Sequence, residues 1–266
     1  MVKGELIGRE RTADVFLWGE DRIIKLFTKD IPEKSIEDEF KISCFTNDYG
    51  ITTPYAGGIL QIEGRKGIVY ERINGVSMGW ILTLHPLKAK AEGYKFAKLH
   101  YNINKATISG IRNLKEQIIS LTERTTLSVK EKKEIIEYTR KLSEGNKLCH
   151  GDFQPDRVIV TRNNSFIVDW SNGVIGNPAF DVAMTSLILS YCTPIHKEGP
   201  IKGKLLDYSR KTFLKEYIKA YVGFSNISYE EIESWMLPAA AVRLSLELPE
   251  KEKKELYNLI IQKLKN

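Results

Sequence analysis

The sequence predicts an α+β protein in two parts: a small five-stranded antiparallel sheet with one helix, followed by a larger, mainly helical remainder. Three observations carry this. Residues up to about 70 break into short β-branched and aromatic runs between turn residues, the texture changes to helical periodicity after Gly75, and one hairpin pattern interrupts the helical half. With 266 residues and 42% hydrophobic content, the chain can build one large domain or two lobes around an ordinary core.

Taken in order, "GELIG", "ADVFLWG" and "DRIIKLF" read as a three-stranded meander. Ser35 is the expected N-cap of a helix, "IEDEFKISCFTN", that places Ile36, Phe40, Ile42 and Phe45 mostly on one side. "GGILQIEG" and "KGIVYERI" complete a hairpin around Glu63 to Gly67, so the order is β-β-β-α-β-β. Past Gly75, "SMGWILTL" and "LKAKAEGYKFAKLHYNI" read as helix, the second burying Ala91, Tyr94, Ala97, Leu99 and His100. Ser128 and Glu131 form a capping-box pattern ahead of "VKEKKEIIEYTRKLSEG". "RVIVT" and "SFIVDW" form a hairpin around Asn163-Asn164, and Asn177-Pro178 supply an N-cap and first-turn proline for "AFDVAMTSLILSYC". Three further helical patterns fill about 204 to 264. The expected division is residues 1–72 as the sheet-rich lobe and 73–266 as the helical lobe, with a connector near Arg72 to Gly75. A small-molecule site is expected in the cleft between such lobes.

Charge and cysteine content narrow the function classes. Lys and Arg outnumber Asp and Glu by 40 to 34, giving +6, which suits an anionic ligand but is equally ordinary for a soluble protein, so charge alone decides nothing. No block of five like charges marks a nucleic-acid tail, so no nucleic-acid partner is expected. Cys44, Cys149 and Cys192 are odd in number and lack metal spacing, and read as free thiols in a reducing compartment. The opening "MVKGELIGRE" has no apolar signal core, and no run approaches the roughly 18 apolar residues that span a bilayer. The expectation is a cytoplasmic protein without a membrane partner, and oligomeric state leaves no trace in the sequence.

Several residue patterns carry chemistry. "GRERTADV" runs from Gly8 to Val15 in the frame of a glycine-rich phosphate cover, but Glu10 and Ala13 take the other two glycine positions, and a plain β-turn accounts for the same residues. Lys25 lies within the apolar strand "RIIKLF". Pointed inward it needs an anionic partner such as Glu39 on the next helix; on an edge strand it would snorkel to water. His150-Gly151-Asp152 precedes one strand of the hairpin and Asp169 ends the other, 17 residues on (169 minus 152). Two carboxylates at one end of a hairpin suit a proton acceptor and a Mg²⁺ ligand, although each alone also suits an ordinary turn.

In order, Gly8, Val15, Lys25, Glu39, the connector after Tyr70, "HGD", "VDW" and "GNPAFDVA" resemble the aminoglycoside phosphotransferase and choline kinase family, which has a bilobal protein-kinase-like fold. The similarity covers nearly the whole chain and is strongest from His150 to Ala183, which looks like the family's H-G-D-x-x-P-x-N, I-D-W and G-D-P-x-x-D-x-A. The absence of an Ala-Pro-Glu segment separates it from protein kinases. The resemblance implies an ATP-dependent (or other nucleoside triphosphate) phosphotransferase acting on a hydroxyl of a small molecule, with Mg²⁺ as cofactor. By it Asp152 would be the catalytic base and Asp169 the metal ligand. Gly8 and Val15 would cover the nucleotide, Lys25 fixed by Glu39 would contact its phosphates, and Glu71 and Ile73 would hold adenine through their backbones. Tyr70 would sit at the back of that pocket, Trp170 at its floor or in an aromatic box for a cationic substrate, and His150 and Asp181 would brace the catalytic loop. Aminoglycosides, amino alcohols and sugars all fit as substrates; the acids Glu230, Glu231, Glu233 and Glu247 of the helical part either attract an amine or are simply solvated, with Ser228 and Glu231 already accounted for by a capping box.

Two positions of the catalytic segment depart from the family. Arg157 stands where the family has a metal-binding Asn, and Gln154 where a His is common. A guanidinium has five donors and no acceptor, so it does not ligate Mg²⁺. Arg157 either binds phosphate in place of a lost cation, or pairs with Asp152 or Asp169 and leaves a nucleotide-binding pseudokinase.

Overall fold

A computed structural model describes residues 3–191 and 200–265. The chain forms two compact units, one of residues 1–78 with 156–173, the other of 79–155 with 174–266. The hairpin that interrupts the helical half thus belongs, by its contacts, to the sheet-bearing unit.

In the first unit, β1 (Leu6–Arg9), β2 (Ala13–Leu17), β3 (Arg22–Phe27), helix α1 (Glu33–Asp48), β4 (Ala56–Ile62) and β5 (Arg65–Glu71) follow the expected order. The strands form an antiparallel sheet in the order β1-β2-β3-β5-β4, which puts β3 in the middle. Lys25 is therefore on a central strand, and the edge-strand alternative falls. Ala13, Phe27, Ile36, Ala56 and Ile68 join sheet to α1 in one apolar cluster. Helix α1 begins three residues earlier than expected, with Pro32 in place of Ser35 at the N-cap and the Pro32 carbonyl taking the Ser35 N–H at 2.9 Å. Proline's fixed φ suits a helix start. The β4–β5 turn is tighter than expected: only Glu63 and Gly64 separate the strands, both at positive φ (53° and 74°), the primed turn that matches strand twist. β6 (Val76–Ser77), β8 (Val158–Val160) and β9 (Ser165–Ile167) make a small second sheet in this unit.

The second unit contains α2 (Met78–Leu84), α3 (Ala89–Lys105), α4 (Leu114–Glu123), α5 (Val129–Lys141), β7 (Lys147–Cys149), β10 (Val174–Gly176), α6 (Pro178–Tyr191), α7 (Pro200–Phe224), α8 (Tyr229–Ser234), α9 (Met236–Leu244) and α10 (Glu250–Lys265), α2 beginning at the unit boundary. Both halves of the Ser128–Glu131 capping box form, and Asn177 Oδ1 accepts the Ala179 N–H at 2.8 Å. The C-terminal stretch holds four helices rather than three, because α8 ends at Ser234 and α9 starts at Met236, with Pro238 in the first turn of α9 unable to donate a hydrogen bond to the Ser234 carbonyl. The buried face of α3 is also rotated from expectation. Ala91 and Tyr94 are exposed, while Glu92, Gly93, Phe96, Ala97, His100, Ile103 and Asn104 are buried. Phe96 stacks on Phe153 at 4.2 Å and anchors the unit's aromatic core with Phe213 and Tyr217. Cys44 and Cys149 are free thiols; Cys192 lies outside the described residues. Among the described residues no helix is long and apolar enough to cross a membrane.

Candidate active site

Period-2 alternation aims Lys25 and Ile23 at one side of β3, and both line a cavity of about 260 Å³. Every residue lining it belongs to the first unit. Gly8, Val15, Lys25, Glu39, Tyr70, Glu71, Ile73 and Asp169, picked out separately in the sequence, all line it, with Ile7, Ile159 and Val168 adding apolar wall. Trp170 closes its floor, 1% exposed, with Nε1 donating to Thr53 Oγ1 at 3.0 Å.

Lys25, 5% exposed, is the electrostatic centre. Its Nζ lies 2.7 Å from Asp169 Oδ1, 2.9 Å from Glu39 Oε1 and 3.3 Å from Glu10 Oε2. Burial disfavours its charge, but Glu39, Asp169 and Glu10 outweigh that and hold the ammonium pKa well above its ordinary value. For Glu39 burial dominates and pushes the carboxyl up, with Lys25 only partly compensating. Tyr70 Oη donates to Glu39 Oε1 at 3.1 Å; burial, then the Glu39 charge, raises its phenol far above the usual range. Asp169 is the opposite case. Burial works against its charge, yet Lys25 and Arg157 together bring it well below the carboxylate norm. Its backbone is left-handed at φ 66°, a conformation Asp tolerates better than most residues.

Arg157 adopts one of the pairings the sequence left open, that with Asp169. Its Nη2 lies 2.9 Å from Asp169 Oδ2 and its Nη1 3.9 Å from Glu10 Oε1. Lys25, Asp169, Arg157 and Glu10 thus close a ring of alternating charge. Glu10 is the member that sequence reasoning missed, having entered only as a weakness in the glycine pattern. It sits in the β1–β2 turn, where its N–H bonds the Ala13 carbonyl at 2.8 Å, and only the fold brings it to Lys25 and Arg157.

Asp152 belongs to the second unit, on the loop after β7. Its Oδ2 accepts from Gln154 Nε2 at 3.1 Å. The loop is fixed through Asp181, which is fully buried. Asp181 accepts the backbone N–H groups of His150 (2.7 Å) and Gly151 (2.8 Å), with His100 Nε2 at 2.8 Å and Asn104 Nδ2 at 3.1 Å. Gly151 needs to be glycine because its φ is +78°. His100 also meets Tyr217 Oη at 2.7 Å, and Tyr221 Oη donates to Asn104 Oδ1 at 2.7 Å. Burial opposes the Asp181 charge, but His100, His150 and the Gly151 N–H lower its pKa to about 2. His100 was legible as a buried stripe residue, not as part of this support.

Two of the four acids suggested for amine attraction have other work. Glu233 pairs with Lys263, and Glu231 Oε1 accepts from Asn177 Nδ2 at 3.1 Å while its N–H is capped by Ser228.

Among the described residues no group of three His, Cys, Asp or Glu has the arrangement of a metal site. Asp169 offers one carboxylate to a cation such as Mg²⁺. Arg157 offers none, so a two-residue metal site does not fit these side chains.

A buried lysine held by a helix glutamate, facing an aspartate that follows a hairpin, on a five-stranded antiparallel sheet, defines the nucleotide-lobe core of a kinase-like fold. The profile of the phosphotransferase enzyme family (APH) matches residues 4–221, and the chain belongs to that family. Its structure is similar to an amicoumacin kinase solved with AMP-PNP, Ca²⁺ and Ami (TM-score 0.67, 14% identity, 98% of this chain and 87% of that one). It is also similar to the choline kinase LicA from Streptococcus pneumoniae (0.63, 16%, 100% and 94%). A third relative is a thermostable mutant of aminoglycoside phosphotransferase APH(4)-Ia in ternary complex with AMP-PNP and hygromycin B (0.66, 13%, 98% and 92%). At these identities the likeness is one of fold. No curated protein matches the chain in sequence.

Proposed function

We propose that this protein transfers the γ-phosphoryl group of ATP, or another nucleoside triphosphate, to a hydroxyl of a small molecule of the aminoglycoside, amino alcohol or sugar-like kind. The observation that carries this is Lys25, clamped between Glu39 and Asp169 in a cavity of about 260 Å³, in a chain of the phosphotransferase family. The relatives solved with AMP-PNP, hygromycin B or Ami support the substrate and nucleotide classes.

In this reading the apolar wall from Ile7, Val15, Ile23 and Ile159 takes the base of the nucleotide. The Glu71 N–H is already given to Tyr55 O at 2.9 Å, so base contacts fall to the Glu71 carbonyl and to Ile73. Tyr70 and Glu39 fix the Lys25 ammonium, which meets phosphate oxygens. Asp169, with the nucleotide's own phosphates, would hold a divalent cation that neutralises charge on the transferred group. Asp152 accepts the acceptor hydroxyl's proton as its oxygen attacks phosphorus in line, and the Asp181 brace keeps the loop placed for it. The division expected at residue 72 shifts in this reading: residues 1–78 with 156–173 serve as the nucleotide lobe and 79–155 with 174–266 as the catalytic and substrate lobe, in the cytoplasm.

The test is ATP consumption over a panel of hydroxylated amines, sugars and nucleosides, with Asp152→Ala alongside. Turnover should vanish in that variant while nucleotide binding persists; unchanged turnover removes the base assignment. The Arg157–Asp169 pair favours one second reading, a nucleotide binder without chemistry. Metal-independent thermal stabilisation by ATP with no phosphate release would select it.

A further inference from the structure

We propose that Glu10 is a displaceable anion that holds the place of a nucleotide phosphate between Lys25 and Arg157. The inference rests on the reading of this cavity as a nucleotide site and adds a residue that controls phosphate affinity there.

The argument is one of charge and reach. Glu10 lines the cavity, and its two carboxylate oxygens divide between two cations, Oε2 at 3.3 Å from Lys25 Nζ and Oε1 at 3.9 Å from Arg157 Nη1. A carboxylate bridging an ammonium and a guanidinium offers the oxygen pattern that a phosphate would offer the same pair. The other anions are held harder. Glu39 is 1% exposed and Asp169 has only 7% side-chain exposure, each at normal ion-pair distance from Lys25. Glu10 has 30% side-chain exposure, the longest contacts of the ring, and a place in a surface turn between two short strands. It is the anion that can leave at least cost, because its carboxylate regains water when it does.

The consequence is a threshold on binding. With Glu10 in place, an incoming phosphate meets a like charge; with Glu10 swung out, it finds Lys25 and Arg157 already positioned by Asp169. Arg157 is then a phosphate contact, and the arginine in place of asparagine and the glutamate in place of glycine work as one pair.

The experiment measures ATP, ADP and adenosine binding, by calorimetry without divalent cation, to the full chain and to Glu10→Gln. Glu10→Gln keeps the size of the side chain and removes its charge. ATP and ADP should bind at least tenfold more tightly to the variant, with adenosine unchanged because it carries no phosphate. Equal ATP affinity in the two proteins overturns the proposal and leaves the nucleotide reading standing. Equal tightening for ATP and adenosine also overturns it, since Glu10 then acts on cavity shape. Failure of all three ligands on both proteins defeats the nucleotide reading itself, and the proposal with it.

Discussion

Asp181→Asn tests the support beneath the Asp152 loop. Asp181 Oδ2 takes three bonds, from His100, Asn104 and the His150 N–H, and Oδ1 takes the Gly151 N–H. An amide retains one oxygen, which best serves the three-bond side, and so turns its NH₂ toward Gly151, donor against donor. Stranding one buried N–H costs about 1–3 kcal/mol, and weakening three charge-assisted bonds adds a comparable amount, so a loss of about 3–5 kcal/mol is expected. The wild-type carboxyl gives a figure of the same order. The gap between its ordinary 3.8 and about 2 amounts to about 2–3 kcal/mol at about 1.36 kcal/mol per unit. Because the folded value is the lower one, this stability is present above pH 4 and is lost as pH falls toward 2.

Thermal unfolding at pH 7 should therefore show a midpoint about 6–20 °C lower in the variant, at about 2–4 °C per kcal/mol. The difference should narrow between pH 4 and pH 2, where the wild type takes up the proton. Displacing the loop should also cut kcat by about 10–100-fold, since small misplacements of a catalytic group are expensive, with nucleotide affinity kept because no Asp181 contact lies in the nucleotide cavity. A midpoint within 2 °C of wild type together with unchanged kcat would refute the reasoning; about 2 °C is what less than 1 kcal/mol produces.

Two further substitutions probe the charge ring. Lys25→Met leaves Glu39 buried with Tyr70 as its hydrogen-bond partner; it should cost about 3–5 kcal/mol of stability by urea titration and remove measurable ATP binding. Arg157→Asn should weaken metal-free ATP binding by about tenfold, the equivalent of about 1.4 kcal/mol for one charged phosphate contact, and shift nucleotide affinity toward dependence on added Mg²⁺ in the same calorimetric assay. Tighter metal-free binding in Arg157→Asn would show the arginine to be an obstacle.

What was legible in the sequence follows a physical division. Lys25 and Glu39 could be paired on paper because alternation along β3 and the apolar side of α1 each set a direction, and burying a lysine demands an acid. The Ser128 box and the Asn177 cap were legible because they are made within a few residues. Glu10 was not, since its partners stand 15 and 147 residues away (25 minus 10 and 157 minus 10) and a turn residue carries no periodicity to aim it. The α3 stripe went wrong at Glu92, whose burial is made possible by Lys95 Nζ at 2.9 Å, and at Tyr94, which edges onto Phe224 at 5.3 Å while staying half exposed. Periodicity ranks residues by hydrophobicity and has no term for a buried glutamate with a snorkelling partner. The α8–α9 junction did leave a signal: Pro238 has no N–H to give the Ser234 carbonyl, so a continuous helix breaks there and restarts with the proline in its first turn.

The charges at the cavity constrain how any nucleotide is accepted. Four carboxylates line the cavity, Glu10, Glu39, Glu71 and Asp169, and three of them, all but Glu71, pair with Lys25 or Arg157. A triphosphate adds several more negative charges in a largely buried space, where unlike charges must be matched closely. Binding then requires that a cation enters with the nucleotide or that one anion withdraws. Glu39 has no route out of α1, and Asp169 is gripped by both cations. Glu10 is left as the adjustable charge. An arginine placed at position 157 alone would hold phosphate or Asp169 too firmly for repeated exchange; a glutamate at position 10 gives that arginine and Lys25 an alternative partner when the phosphate departs. Of the departures from the family pattern, Glu10 and Arg157 face each other, so under the proposed exchange these two share one physical explanation.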